Sequence, residues 1–238
     1  MRYLLIAATL GGLLASAFGQ GTGAGPWTSS EIVNHADFVT ALVRYHDLGQ
    51  YGYEIRQVAN SAREYLESLL KEQHPTKLAA VFDIDETALS NWNLMLDCGF
   101  CSYQAQLALY PPGNVKCAAT RVTYTCDPEN LPAIVPVREL YMFAKEHGVA
   151  VFFVTGRPEN QRDWTEKNLK DQGYPPWDGL YMKPAGSSDT AAEFKPKKRE
   201  EISKNYRIVL NIGDQASDLA GCCADRVFKL PNPFYLIP

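Results

Sequence analysis

The sequence predicts an α/β fold, a parallel sheet with helices on both faces, preceded by a helical extension and interrupted by a small insert after the first strand. Three observations carry this expectation. Leu78-Ala79-Ala80-Val81-Phe82, Val149 to Val154 and Ile208 to Ile212 are short unbroken apolar runs, as strands covered on both faces require. Helical patterns separate them, near Pro136–Glu146, Gln161–Asp171 and Lys197–Lys204. Strands alternating with helices form parallel sheets, because each crossover helix must pack back onto the sheet.

The elements follow in order along the chain. Arg2, the apolar run Leu4 to Leu14 and the small residues Ala15-Ser16-Ala17 read as a secretory signal peptide over residues 1–19, cut after Ala17 or Gly19. The apolar run is too short to span a bilayer. A Gly-rich leader covers 20–27, and the expected domain covers 28–238. Its extension, 28–75, contains a helix from about Glu31 to Asp47, capped by Ser29 or Ser30. A second helix follows Gly52, with Ile55, Val58, Ala59, Ala62, Tyr65, Leu66, Leu69 and Leu70 at helical spacing. The insert is 88–135, too short for a large cap domain, and Val227-Phe228 marks a weaker fourth strand.

Composition narrows the partners. The 238 residues are 46% hydrophobic and 21% charged, too apolar for a disordered chain. With 23 basic and 27 acidic residues the formal charge is −4, which offers no global attraction to nucleic acid or anionic membranes. The sequence therefore predicts no nucleic-acid partner; with no cysteine directly after the small-residue stretch and no other segment long enough to cross a bilayer, it also predicts no membrane anchor in the mature form.

The chemistry gathers at strand ends, where open α/β sheets bind their ligands. The first strong strand ends in Asp83-Ile84-Asp85-Glu86-Thr87, the second in Thr155-Gly156-Arg157-Pro158. The third ends in Gly213-Asp214-Gln215-Ala216-Ser217-Asp218. Carboxylates converging on one edge repel one another unless a cation compensates them, and hard oxygen donors suit Mg²⁺. Each motif alone is commonplace; their placement after buried strands, in this order, is not.

These motifs resemble the haloacid-dehalogenase (HAD)-like phosphatases, whose core is Rossmann-like. More narrowly, the chain is similar to subfamily IIIB acid phosphatases, which include exported bacterial enzymes and plant vegetative storage proteins. The resemblance runs through Phe82 to Thr87 with Leu89-Ser90-Asn91, Thr155-Gly156-Arg157, and Lys195-Pro196-Lys197-Lys198-Arg199. It ends with Gly213 to Asp218 and the tail Phe228-Lys229-Leu230-Pro231-Asn232-Pro233, in which no chemistry is evident.

The resemblance implies a phosphate monoesterase. Asp83 would be the nucleophile and Asp85 the general acid and base. Thr155, Gly156 and Lys195 would bind phosphate. Asp83, Asp214 and the carbonyl of Asp85 would bind Mg²⁺. Asp218 would either join the metal or hold Asp214 and Lys195, and Arg157 would touch phosphate or pair with an acidic neighbour. Lys195 is chosen from the run Lys195, Lys197, Lys198, Arg199 by the pattern Lys-x-x-Lys-Arg; a solvated helix face is the alternative. A phosphotransferase and a non-catalytic storage or binding protein on the same scaffold are the rivals.

The remaining residues have plainer readings. Trp92, Tyr103, Tyr110 and Tyr124 either stack on substrate or pack the insert, and packing is the simpler role. Cys98, Cys101, Cys117 and Cys126 in an exported chain favour disulfides over a zinc site. Cys222 and Cys223 can bridge each other, cross-pair or stay free. Small phosphate esters are the expected partners, and secretion or the periplasm the expected location.

Overall fold

A computed structural model of the chain describes residues 34–72, 77–97, 99–100, 130–174 and 176–237. The signal peptide, the leader, Tyr103, Tyr110, Tyr124 and the four cysteines of the insert lie outside the described residues. The chain divides into two units, Met1–Phe38 and Val39–Pro238. Of the first, the described residues are Asn34 and the opening turn of helix α1 (His35–Asp47).

The second unit holds helix α2 (Gln50–Leu69) after a turn at Gly49, whose φ of 84° is open to glycine at little cost. Ile55, Ala59, Ala62 and Leu66 of the predicted stripe are buried and Val58, Tyr65, Leu69 and Leu70 half-buried; the helix begins at Gln50, before Gly52, which adds Tyr51 to the buried face. Strand β1 (Leu78–Phe82) follows, then helix α3 (Trp92–Asp97) and helix α4 (Val135–Glu146). Strand β2 (Ala150–Pro158) leads through a short 3₁₀ turn to helix α5 (Arg162–Asp171). Strand β3 (Gly179–Lys183), helix α6 (Ala191–Ser203), strand β4 (Arg207–Gly213), helix α7 (Ala216–Leu219) and strand β5 (Ala224–Lys229) complete the order.

The five strands pair in parallel in the order β3-β2-β1-β4-β5. All of β1 is buried, and its alternate residues serve two cores. Leu78, Ala80 and Phe82 join the larger core with residues of α2 and α4; Ala79 and Val81 join a smaller one with Phe194 and Ile202 of α6. A central strand covered on both sides explains why its sequence reads as an unbroken apolar run.

Two sequence expectations change, while Trp92 and the Cys222–Cys223 pair fall within the readings the sequence left open. Strand β3 was not anticipated: half-buried Gly179, Tyr181 and Lys183 alternate with buried Leu180 and Met182, so this edge strand lacks an apolar run. Helix α6 starts at Ala191 rather than Lys197, because Thr190 and Glu193 form a reciprocal capping box that starts it early. Lys195 therefore lies inside the helix. Trp92 is packing, with its ring stacked on His46 at 3.6 Å between centroids. Cys222 and Cys223 are joined to each other just beyond α7.

Candidate active site

The sheet register brings the polar strand ends together. The Asp83 amide donates to the Ile212 carbonyl at 3.0 Å, extending the β1–β4 ladder by one step. Asp83 thereby meets the Gly213-Asp214 turn. On the other side of β1, Val81 and Phe82 pair with Phe152 and Phe153, which sets Thr155 to Arg157 beside Asp85. A cavity of about 210 Å³ opens there, lined by Asp83, Asp85, Gly156, Arg157, Lys195, Asp214 and Asp218 among others. Thr155 is fully buried behind this wall, and its hydroxyl accepts the Arg157 N–H at 3.1 Å.

Lys195 and Arg199 are one helical turn apart on α6, and both point inward. The Lys195 ammonium is 2.5 Å from Asp83 Oδ1 and 2.5 Å from Asp218 Oδ1, with all three side chains buried. Burial would lower the lysine pKa, but the Asp218 and Asp83 carboxylates outweigh it and hold the ammonium well above its ordinary value. Arg199 donates to the backbone carbonyls of Asp218 at 2.7 Å, Ala220 and Cys222, pinning the turn that carries Asp218. Lys197 and Lys198 instead meet Asp189 and Glu201 toward solvent. The basic run is therefore half solvated face and half interior, split by the i, i+4 period.

Asp83, Asp214 and Asp218 each bring one oxygen within 4.8 Å of the other two. Both oxygens of Asp218 are engaged, Oδ1 by Lys195 and Oδ2 by the Gln215 amide at 2.8 Å. Gly213 permits this approach: a Cβ there would stand 2.4 Å from the Asp218 Cβ. Asp214 is pushed up to about 7 by burial and then by the Asp218 and Glu86 carboxylates, against hydrogen bonds from Asn232 and Gln215. Asp83 is raised by burial and by Asp218, with Lys195 opposing.

Asp85 turns the other way. Arg157 grips it with Nη2 to Oδ1 at 2.7 Å and Nε to Oδ2 at 2.9 Å, and the Asn91 amide donates to Oδ1 at 2.9 Å. Arg157 is thus paired with an acidic neighbour. Its guanidinium also lies over the Trp164 ring, 4.8 Å from the centroid.

Several residues of the site escaped the sequence reading. Glu86, with φ of 52°, tucks a fully buried carboxylate under the loop. It accepts from the Asn91 amide N–H at 2.5 Å and the Tyr235 hydroxyl at 2.5 Å. Asn232 donates to Asp214 Oδ2 at 2.6 Å, so the tail, expected to carry no chemistry, reaches the acidic cluster. Tyr235 and Ile237 also line the cavity. The available signal was Asn232 itself, a polar residue held between Pro231 and Pro233.

No helix among the described residues is long and apolar enough to cross a membrane. The family model for the HAD superfamily, subfamily IIIB (acid phosphatase), matches residues 28–238. Acid phosphatase 1 of Solanum lycopersicum is 34% identical over 194 residues, covering 79% of this chain and 69% of that protein. Vegetative storage protein 1 of Arabidopsis thaliana is 31% identical over 190 residues, covering 79% of this chain and 66% of that protein. The chain thus spans about two thirds of the length of these relatives. The class C acid phosphatase from Bacillus anthracis shares the fold, with a TM-score of 0.66 at 21% identity, covering 85% of this chain and 86% of that one. The matched span takes in every strand of the sheet and every acidic residue of the cavity, and the chain belongs to the HAD superfamily, subfamily IIIB, the acid phosphatases, a family of phosphomonoester hydrolases.

Proposed function

We propose that the chain is an exported, Mg²⁺-dependent acid phosphatase that hydrolyses phosphate monoesters of small alcohols through an aspartyl phosphate on Asp83. The observation that carries this reading is the Lys195 ammonium seated 2.5 Å from Asp83 inside a cavity walled by further carboxylates. Export rests on the signal pattern of Arg2, Leu4 to Leu14 and Ala15-Ser16-Ala17.

The donor set fits a divalent cation. Asp83, Asp214 and Asp218 face one another with Lys195 as the ammonium among them, so three carboxylates stand against one positive charge. Buried charge of one sign is costly unless balanced, and oxygen donors are those that Mg²⁺ takes. Asp83, Asp214 and the backbone carbonyl of Asp85 would hold it, with Asp218 holding Lys195 and the Gln215 N–H in place. When bound, the ion supplies positive charge to the transferring phosphoryl oxygens.

The side chains then divide the reaction into two displacements. Asp83 attacks phosphorus and the P–O bond to the alcohol breaks, while the Asp85 carboxyl gives its proton to the departing oxygen. Water next attacks the phosphoryl group and surrenders a proton to Asp85, the Asp83–phosphate bond breaks and inorganic phosphate leaves. Lys195 and the Thr155-Gly156 segment would stabilise charge on the phosphoryl oxygens throughout. Acidic solution favours the protonated Asp85 that the first displacement requires.

The test is release of inorganic phosphate from p-nitrophenyl phosphate. Activity is expected to disappear in EDTA and to return on adding Mg²⁺, and activity indifferent to EDTA would refute the metal reading. Adding a second alcohol separates hydrolysis from transfer: under hydrolysis, phosphate and p-nitrophenol appear in equal amounts.

A further inference from the structure

Lys195 bridges Asp83 and Asp218. The third carboxylate, Asp214, is held by neutral groups. Its Oδ2 accepts two amide N–H donors, Gln215 Nε2 and Asn232 Nδ2, each at 2.6 Å. Its Oδ1 meets the Thr87 hydroxyl at a longer 3.2 Å.

The far end of each amide is fixed by the C-terminal tail. Asn232 Oδ1 accepts the backbone N–H of Phe234 at 2.9 Å, and Gln215 Oε1 accepts that of Ile237 at 3.1 Å. An amide whose oxygen takes a backbone donor must present its NH₂ at the other end. Two tail N–H groups therefore aim two amides at one carboxylate oxygen. The tail is itself anchored at several points. The Leu230 N–H donates to the Gly213 carbonyl at 2.9 Å, continuing the β4–β5 pairing. Phe234 is buried against Tyr51 and Trp92, with ring centroids 5.0 and 5.2 Å away. Tyr235 ties to Glu86, and Pro231 and Pro233 restrict the backbone on either side of Asn232.

We propose that the tail segment 232–237 is a positioning element for the metal site: through Asn232 and Gln215 it saturates Oδ2 of Asp214 and leaves Oδ1 as the oxygen for the cation. The inference rests on the Mg²⁺ reading above. Neutral amides suit this task, because a lysine or arginine in their place would bring charge that competes with the ion. Hydrogen bonds to a metal-binding carboxylate orient it before the ion arrives, so their loss appears in affinity.

The test is Mg²⁺ binding to the full chain, measured by calorimetry without substrate. Asn232→Ala and Gln215→Ala are each expected to weaken Mg²⁺ binding about tenfold. The half-saturating Mg²⁺ for p-nitrophenyl phosphate hydrolysis should rise in step, with KM for the ester at saturating Mg²⁺ within about twofold of wild type. A merely structural role would lower the melting temperature of the EDTA-treated protein and leave Mg²⁺ affinity unchanged. Unchanged affinity in the variants overturns the proposal alone, whereas a wild-type chain that binds no Mg²⁺ overturns the metal reading and the proposal with it. If Asn232→Ala does not fold, Gln215→Ala decides, since it leaves the tail sequence intact.

Discussion

Arg157 and Asp85 form a two-point ion pair in the wall of the strand-end cavity, with N–O distances of 2.7 and 2.9 Å. Burial alone would raise the Asp85 carboxyl, but the guanidinium charge, its hydrogen bonds and that of Asn91 hold it below its ordinary value. A general acid with a depressed pKa is protonated in a fraction that grows as pH falls. Removing the cation lets that pKa rise. Arg157→Gln is therefore expected to move the pH optimum of kcat upward by about one unit or more, alongside some loss of stability. The pH–rate profile checks this, and an optimum that stays in place or moves down contradicts the assigned pairing of roles.

The metal-free protein should become less stable as pH rises toward neutrality. Asp214 and Glu86 are each pushed up to about 7. For Glu86 the causes are burial first and the Asp85 charge, opposed by Tyr235 and Asn91. Between their ordinary carboxylate values and about 7, the folded chain binds more protons than the unfolded chain, so stability falls with rising pH across that window. In EDTA the melting temperature is expected to be lower at about pH 7.5 than at about pH 5. Mg²⁺ should restore more stability at the higher pH, where protons no longer compete for Asp214. A melting temperature that rises across the window in EDTA would count against the buried acidic cluster.

Gly213 is expected to tolerate no side chain. Its Cβ would stand 2.4 Å from the Asp218 Cβ and 2.5 Å from Oδ2, so Gly213→Ala must displace Asp218 and with it the partner of Lys195. A destabilisation of about 1–3 kcal/mol in urea unfolding, with most activity lost, is the expected outcome. Wild-type stability would mean that the turn yields freely.

The basic run on α6 offers an internal control. Lys195→Met leaves Asp83 and Asp218 buried without their ammonium and is expected to reduce kcat by about 10²-fold or more. Lys197, with an exposed pair to Asp189, should accept the same change with activity within about twofold. Equal effects at the two positions would refute the inward assignment of Lys195.

The buried strands were legible because burial on both faces leaves no room for polar residues, as β1 shows. The strand-end motifs were legible for a related reason: polar clusters following such runs have one place to go. Edge strand β3 hid because three of its five residues are partly exposed, and the first turns of α6 hid because its start depends on the Thr190–Glu193 capping box rather than on periodicity. Arg157 could not be assigned because its partner, Asp85, is 72 residues away in sequence. The tail contact was hidden similarly. Asn232 reaches Asp214 because β5 runs beside β4, and nothing local to Asn232 announces that.

The central claim is that Asp83 is the nucleophile, and Asp83→Asn tests it most directly. The variant keeps the shape of the side chain while removing the attacking carboxylate. Phosphate release from p-nitrophenyl phosphate at saturating Mg²⁺ is expected to fall by about 10⁴-fold or more, with a melting curve showing the protein still folded. A folded Asp83→Asn protein that hydrolyses the ester at the wild-type rate would contradict the account.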